Sequence, residues 1–101
     1  MTRARRLNSA EIERGLRSLK SWRHSRKALR RQFKFETFAR AIRFVVEVAA
    51  SAERLNHHPD VDIRFSLIRV ALSTHDVGGI SNKDFQLARL IESHARQEYP
   101  I

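Results

Sequence analysis

The sequence of 101 residues contains no cysteine, three glycines, two prolines and no long hydrophobic run. The absence of cysteine excludes disulfide bonds and thiolate metal sites, which fits a reducing compartment. Apolar runs such as 44–46 are far too short to cross a membrane, and no apolar segment follows the basic N-terminus as a signal peptide would require. We therefore expect a cytoplasmic protein.

The length and the apolar content predict a single domain. A chain of this size, 42% apolar, can build one modest core and is too small for two. No internal repeat, low-complexity segment or linker divides it. We expect one domain over 1–101, in which 1–8 form a flexible basic arm. A partner subunit would help to bury the apolar surface that so small a core leaves exposed.

The positive charge is confined to the first third of the chain. Residues 1–34 contain twelve lysines and arginines against two glutamates, a net charge of +10, whereas 35–101 contain eight against nine acids. Such a segment could meet nucleic acid, anionic lipid or an acidic protein. Charge alone specifies no partner, and a solvated basic face is the simpler interpretation.

Residue periodicity predicts the elements of the first half. Apolar positions at helical spacing after Ser9 indicate a short helix over about 9–20. Residues 22–26 and 29–35 are interpreted as two strands of a hairpin, although 25–27 lack the glycine or asparagine that tight turns prefer. Residues 36–55 form a strong helical pattern that ends before Pro59. Its predicted core stripe comprises Phe38, Ile42, Val45, Val46, Ala49 and Ala52.

Strand spacing returns in the second half. Alternation over 61–65 and 68–74 predicts two strands joined by a bulge or turn near 66–67, with His75 at the end of the second strand, on the face opposite Ile68, Val70 and Leu72. Ser81 and Asp84 resemble a shortened capping box and begin a last helix to about 97. The fold class is therefore α+β, with an antiparallel four-stranded sheet and three helices packed on one face.

Three histidines form the candidate catalytic cluster: His57, His58 and His75. Imidazoles titrate near neutrality, so a group of them can supply both a general acid and a general base. A His-His-Pro segment is also an ordinary way to stop a helix, and that interpretation stays open for the motif alone. Adjacent histidines lack the spacing of metal ligands, so we expect no metal.

Two carboxylates have alternative interpretations. Asp84 either caps the last helix or orients an imidazole, and the two roles are compatible. Glu53 is either a solvated helix residue or a support for the histidines. We expect His24 and His94 to be ordinary surface residues. No phosphate-binding glycine loop or nucleophile elbow is present.

These positions resemble the pterin-4a-carbinolamine dehydratase family (4a-hydroxytetrahydrobiopterin dehydratases). The resemblance covers about 22–92 and includes the phenylalanines at 33–38 and the phrase at 72–81. The matching residues, at the family's spacing, are Glu53, His57, His58, Pro59, Phe65, Ser73, Thr74, His75 and Asp84. The departures are Ser66 and Leu67, where relatives usually have asparagine with a polar residue, a short segment at 22–35, and the basic first third.

The resemblance implies an enzyme that converts a 4a-hydroxytetrahydropterin to quinonoid dihydropterin and water without metal or organic cofactor. It implies that His57, His58 and His75 act as acid, base and substrate-orienting groups, that Pro59 shapes their loop, and that Glu53 and Asp84 support them. Such proteins form homodimers or homotetramers and serve aromatic amino acid hydroxylases in tetrahydrobiopterin recycling.

A different function is also compatible with the resemblance. Some relatives are transcriptional co-regulators, and others resemble assembly factors for the carbon-fixing enzyme, with an eroded site. The complete histidine triad favours the enzyme here. The alternative is a non-catalytic binding, assembly or co-regulator module that uses the same fold and the basic N-terminal third.

Overall fold

The computed structural model describes residues 4–99, which form a four-stranded antiparallel sheet and three helices. The strand order is β1-β2-β4-β3. The predicted α+β fold is confirmed. The elements are α1 (Ser9–Leu16), β1 (Arg23–Ser25), β2 (Ala28–Lys34), α2 (Phe38–Leu55), β3 (Asp60–Arg64), β4 (Leu67–Leu72), a short 3-10 helix (His75–Val77) and α3 (Asn82–Glu98).

The N-terminal segment is attached to the rest of the domain. Arg6 forms an antiparallel bridge with Ser81, and the N–H of Leu7 donates to the carbonyl of Ile80 at 2.8 Å. Arg6 and Leu7 of the expected flexible arm are therefore docked, and 1–3 lie outside the described residues. Asn8, not Ser9, caps α1, through a capping box with Glu11.

Helix α1 ends at Leu16, four residues earlier than predicted, and turns follow it up to β1. Gly15 allows the helix to approach α3 closely: a Cβ at this position would lie 2.5 Å from the ring of Phe85. Any larger residue at position 15 would push the two helices apart.

The hairpin β1–β2 forms as predicted, despite its turn sequence. The two turn residues, Arg26 and Lys27, adopt positive φ angles of 48° and 63°. A two-residue hairpin needs these left-handed conformations so that the strands keep their twist, and asparagine or glycine normally supplies them. Here two long basic side chains occupy the strained positions and are exposed at the hairpin tip.

The core stripe predicted for α2 is confirmed only in part. Ala52 is buried and Val45 packs against the core, but the centre of the buried face lies about a quarter of a turn from the prediction, at 3.6 residues per turn. The helix has apolar residues on two adjacent faces, and the sheet and α3 cover only one of them. Phe38 and Val46 of the predicted stripe are 48% and 60% exposed. The residues that α2 buries are Ala41, Phe44, Val48, Ser51 and Ala52.

The core lies between the helices and one face of the sheet. Side chains alternate between the two faces of each strand, and the apolar side chains that the two central strands direct toward the helices are almost completely buried: Leu29 and Phe33 from β2, and Ile68, Val70 and Leu72 from β4. β3 and β4 are joined by a two-residue turn, as expected near 66–67, with Phe65 at φ 55°. Among residues 4–99, no helix is long and apolar enough to be a membrane span.

Candidate active site

The end of α2 presents the two adjacent histidines. Asn56 adopts the left-handed conformation, with φ 50°, which few residues other than glycine and asparagine tolerate. This turns the chain away from the helix, and the N–H of His57 donates to the carbonyl of Ala52 at 3.0 Å. Pro59 then cannot continue a helix, and β3 begins at the next residue. His57 is therefore held close to the helix end, and its side chain is only 11% exposed.

The buried carboxylate of Asp84 is the centre of the site. Its side chain has no solvent exposure. Oδ2 accepts hydrogen bonds from the N–H of Ser81 at 2.9 Å and from the hydroxyl of Thr74 at 2.8 Å, and Oδ1 lies 2.6 Å from Nε2 of His57. Asp84 thus caps α3 and also contacts an imidazole. A buried carboxylate needs such partners to replace lost water.

The hydrogen-bond network determines where the protons lie. An ionised carboxylate only accepts, so the hydroxyl of Thr74 must donate to Asp84. The hydroxyl of Ser81, 2.7 Å from that of Thr74, then donates to Thr74 and itself accepts from the N–H of Lys83 at 3.2 Å. By the same reasoning Nε2 of His57 donates to Asp84 and carries a proton.

The other ring nitrogen of His57, Nδ1, is the one that can accept a proton in this tautomer. Among residues 4–99, the single buried side-chain nitrogen or oxygen without a hydrogen-bond partner belongs to His94. Nδ1 of His57 makes no hydrogen bond to the described residues, so it must be reached by solvent. A ligand can therefore approach the basic nitrogen while Asp84 holds the opposite side of the ring.

His58 has a different carboxylate partner. Its Nε2 lies 2.5 Å from Oε2 of Glu53, which reaches it from the last turns of α2. Both side chains are exposed, at 56% for His58 and 77% for Glu53. Glu53 therefore contacts His58 and not His57, the residue that follows it by one helical turn. Sequence spacing could not distinguish these two pairings.

His75 does not end a strand, as the sequence predicted. β4 stops at Leu72, and His75 begins the 3-10 helix. The cause is the loop that follows: Gly78 is left-handed with φ 69°, and Thr74 pairs with Gly79 through the backbone. This tight return removes residues 73–75 from the sheet ladder and leaves His75 exposed.

The fold nevertheless brings the two histidine segments to the same end of two neighbouring strands. β3 and β4 are antiparallel neighbours, with Asp60 opposite Ala71. The start of β3, which follows His58, is therefore beside the end of β4, which leads to His75. Asp84 connects the two segments, because it contacts His57 directly and Thr74, the residue before His75.

The remaining histidines differ from each other. His24 is exposed, as expected. His94 was expected at the surface, but it is half-buried between α2 and α3, with Nε2 2.7 Å from the hydroxyl of the buried Ser51. Position 94 lies one turn after the core residue Ile91, which was the available signal. Within residues 4–99, no group of three or more histidines, aspartates or glutamates is arranged to hold a metal ion.

The sequence matches a known family model over most of its length. The model, described as pterin 4 alpha carbinolamine dehydratase, covers residues 5–94. The chain is 48% identical over 86 residues to the protein named "Putative pterin-4-alpha-carbinolamine dehydratase" of Roseiflexus castenholzii, which covers 85% of this chain and 92% of that protein. A protein of the same name from Acidobacterium capsulatum is 44% identical over 87 residues, covering 86% and 95%.

Solved structures show the same fold. A crystal structure of a "transcriptional coactivator/pterin dehydratase" from Brucella melitensis superimposes with a TM-score of 0.87 at 33% identity, covering 90% of this chain and 99% of that one. A pterin dehydratase-like protein identified as a RuBisCO assembly factor in the alpha-carboxysome has a TM-score of 0.64 at 22% identity, covering 74% and 89%. The second likeness shows the fold alone.

Proposed function

The chain belongs to the pterin 4 alpha carbinolamine dehydratase family, and from this premise we propose that it dehydrates a 4a-hydroxytetrahydropterin to quinonoid dihydropterin and water. The observation that carries the proposal is the contact between His57 and the buried carboxylate of Asp84. It leaves one imidazole nitrogen open to solvent in the part of the fold that also carries the segments of His58 and His75, and no redox step is needed.

The reaction requires one proton donor and one proton acceptor. The 4a-hydroxyl must gain a proton so that the C4a–O bond can break and water can leave. The N5–H bond must lose its proton, and its electron pair forms the C4a–N5 double bond. Histidine suits both tasks at neutral pH, and groups of this kind typically contribute about 10²–10⁴-fold each.

In this proposal His57 acts as the base through Nδ1, because Asp84 keeps its other nitrogen protonated. His58 and His75 are exposed and share the acid and substrate-orienting roles. Glu53 contacts Nε2 of His58 and would stabilise the protonated ring. Pro59 restricts the backbone next to His58 and so fixes the direction of the chain after α2.

The biological setting is part of the same proposal. The substrate is the 4a-carbinolamine left by a pterin-dependent aromatic amino acid hydroxylase, in tetrahydrobiopterin recycling in the cytoplasm. A homodimer or homotetramer is supported by exposed apolar side chains on and beside the edge strand β3, where a second copy of the chain would cover them. These are Val61, Ile63, Phe65 and Phe38. A monomeric mass by light scattering at micromolar concentration would contradict the oligomer.

The test is the dehydration rate of synthetic 4a-hydroxytetrahydropterin. Replacing His75 by alanine should lower the rate by about 10²-fold or more without unfolding the protein, because its side chain is exposed. His24→Ala, which removes an exposed histidine from β1, is the matched control and should keep the wild-type rate. A chelator should change nothing. Wild-type protein without activity would leave the binding-module alternative.

A further inference from the structure

The face of the sheet that points away from the helices carries a cluster of basic residues, only part of which is paired with acids. Alternation along the strands places these side chains on it: Arg23 and Ser25 from β1, Ala28, Arg30, Gln32 and Lys34 from β2, Leu67, Arg69 and Ala71 from β4, and Asp60, Asp62 and Arg64 from β3. Five arginines or lysines and two further basic residues at the hairpin tip therefore stand near two aspartates.

The charges are distributed unevenly across this face. Both aspartates lie on β3, where Asp62 pairs with Arg64 at 3.2 Å and with Arg69 at 3.7 Å. At the opposite side, no acid among residues 4–99 pairs with Arg23, Arg26 or Arg30. The β1–β2 side is consequently the most positive part of the sheet.

Arg23 and Arg30 are direct cross-strand partners. Like charges at this position repel each other and weaken strand pairing. The guanidinium Nε of Arg30 donates to the carbonyl of Ser25 at 3.2 Å, which holds its head group over the hairpin without neutralising it. An arrangement that costs stability and leaves both charges free is suited to an anionic ligand that bridges them.

A groove runs over the same surface. It has a volume of about 810 Å³ and is lined across the sheet by residues of all four strands, among them Arg23, Arg26, Arg30, Arg69 and Asp62. None of the three site histidines lines it. The basic surface is therefore a depression distinct from the candidate active site.

We propose that this groove binds the phosphate backbone of double-stranded nucleic acid, independently of base sequence. The guanidinium group presents a planar fork that matches phosphate oxygens, which favours phosphate as the ligand. A duplex carries about one negative charge per 1.7 Å of its axis, so one segment can meet the whole β1–β2 side of the groove. The aspartates of β3 repel phosphate and confine it to that side.

Other partners fit the surface less well. The open face carries no aromatic side chain, so it offers neither the stacking platform that single strands use nor the aromatic anchors of protein interfaces. The exposed apolar residues Val61 and Ile63 of β3 point to the helix side of the sheet, opposite the groove. A flat lipid bilayer would contact only the rim of the groove.

The experiment is fluorescence anisotropy of a labelled DNA duplex of about 20 base pairs with the full chain, titrated between about 50 and 200 mM salt. The test variant is Arg23→Gln with Arg30→Gln. The matched control is Arg89→Gln with Arg96→Gln, which removes two exposed arginines from α3 and so lowers the net charge equally. Thermal melting should show both variants folded, because the first relieves a repulsive pair.

The wild-type protein should bind at low salt, with affinity that falls steeply as salt rises. The test variant should bind about tenfold or more weakly, and its log–log salt slope should be smaller by about 2, whereas the control should keep a slope near wild type. Lack of wild-type binding at low salt, or equal losses in the two variants, would overturn the proposal. Equal competition by polyglutamate, or equal binding to anionic phosphatidylglycerol vesicles, would also overturn it.

Discussion

The two adjacent histidines of the candidate site are held in opposite ways. His57 contacts the fully buried carboxylate of Asp84, which also accepts hydrogen bonds from Thr74 and Ser81. His58 contacts the exposed carboxylate of Glu53. Removal of one partner of a buried charge network typically costs about 3–5 kcal/mol, and an exposed ion pair contributes about 0–1 kcal/mol. The fold therefore fixes one imidazole and leaves its neighbour free to adjust to a ligand.

Replacement of Asp84 should have the largest effect, because it removes the buried carboxylate that contacts His57. Asp84→Ala leaves the N–H of Ser81, the hydroxyl of Thr74 and Nε2 of His57 without their acceptor. We expect a loss of about 3 kcal/mol in the free energy of unfolding, measured by urea denaturation. Dehydratase activity should also fall.

A more conservative change separates the effect of Asp84 on the position of His57 from its effect on the stability of the fold. Asp84→Asn keeps the shape and one acceptor oxygen but removes the charge that holds the proton on Nε2 of His57. Activity should fall more than the fold is weakened. Asp76→Asn, at an exposed acid of the 3-10 helix, is the control. If Asp84→Asn retained the wild-type rate, the carboxylate would not position His57 for catalysis.

Replacement of Glu53 by glutamine should have a much smaller effect, because its carboxylate is exposed. The unfolding free energy should change by less than about 1 kcal/mol in urea titration. The rate of dehydration should fall less than in Asp84→Asn. Glu47→Gln, at another exposed glutamate of α2, controls for the lost surface charge. A stability loss as large as that of Asp84→Ala would show that exposure does not separate the two pairs.

A third carboxylate, that of Glu11, extends the comparison to another ion pair at the surface. The hydrogen bond from Arg5, followed by the one from the N–H of Asn8, lowers the pKa of Glu11 from 4.5 to about 2 at the surface. The folded state then binds fewer protons than the unfolded state between these values, so the contribution to stability is complete above pH 4.5 and is lost as pH falls toward 2. Glu11→Gln should reduce this acid sensitivity of the urea midpoint slightly. An unchanged pH profile would contradict the pKa.

The sequence predicted the order of elements because each has a local signal, such as the capping residues Ser81 and Asp84. Where two structures were compatible with the same local pattern, the sequence could not distinguish between them. Helix α2 offers apolar side chains on two faces, and only packing against the sheet and α3 selects the one that contains Phe44 and Val48. His75 lies outside its predicted strand because Thr74 pairs with Gly79 across the loop between them, and strand alternation alone does not reveal such a turn.

The sequence indicated candidate site residues, which stay a prediction, but it could not indicate which of them contact each other. Residue types and the family resemblance indicated the histidines and their supporting acids. The assignment of Asp84 to His57 and of Glu53 to His58 depends on how α3 packs against the end of α2, and on which way the chain leaves Asn56. The roles of the three rings in catalysis remain predictions.

The docking of Arg6 and Leu7 against residues 80 and 81 has a consequence for any shortened version of this chain. Ser81 is itself bonded to both Thr74 and Asp84, so three successive contacts, from Arg6 to Ser81, from Ser81 to Asp84 and from Asp84 to His57, connect the backbone near the N-terminus to the imidazole. Truncation up to residue 5 would spare this connection. Removal of two further residues would expose the cap of α3 and loosen the same carboxylate on which His57 depends.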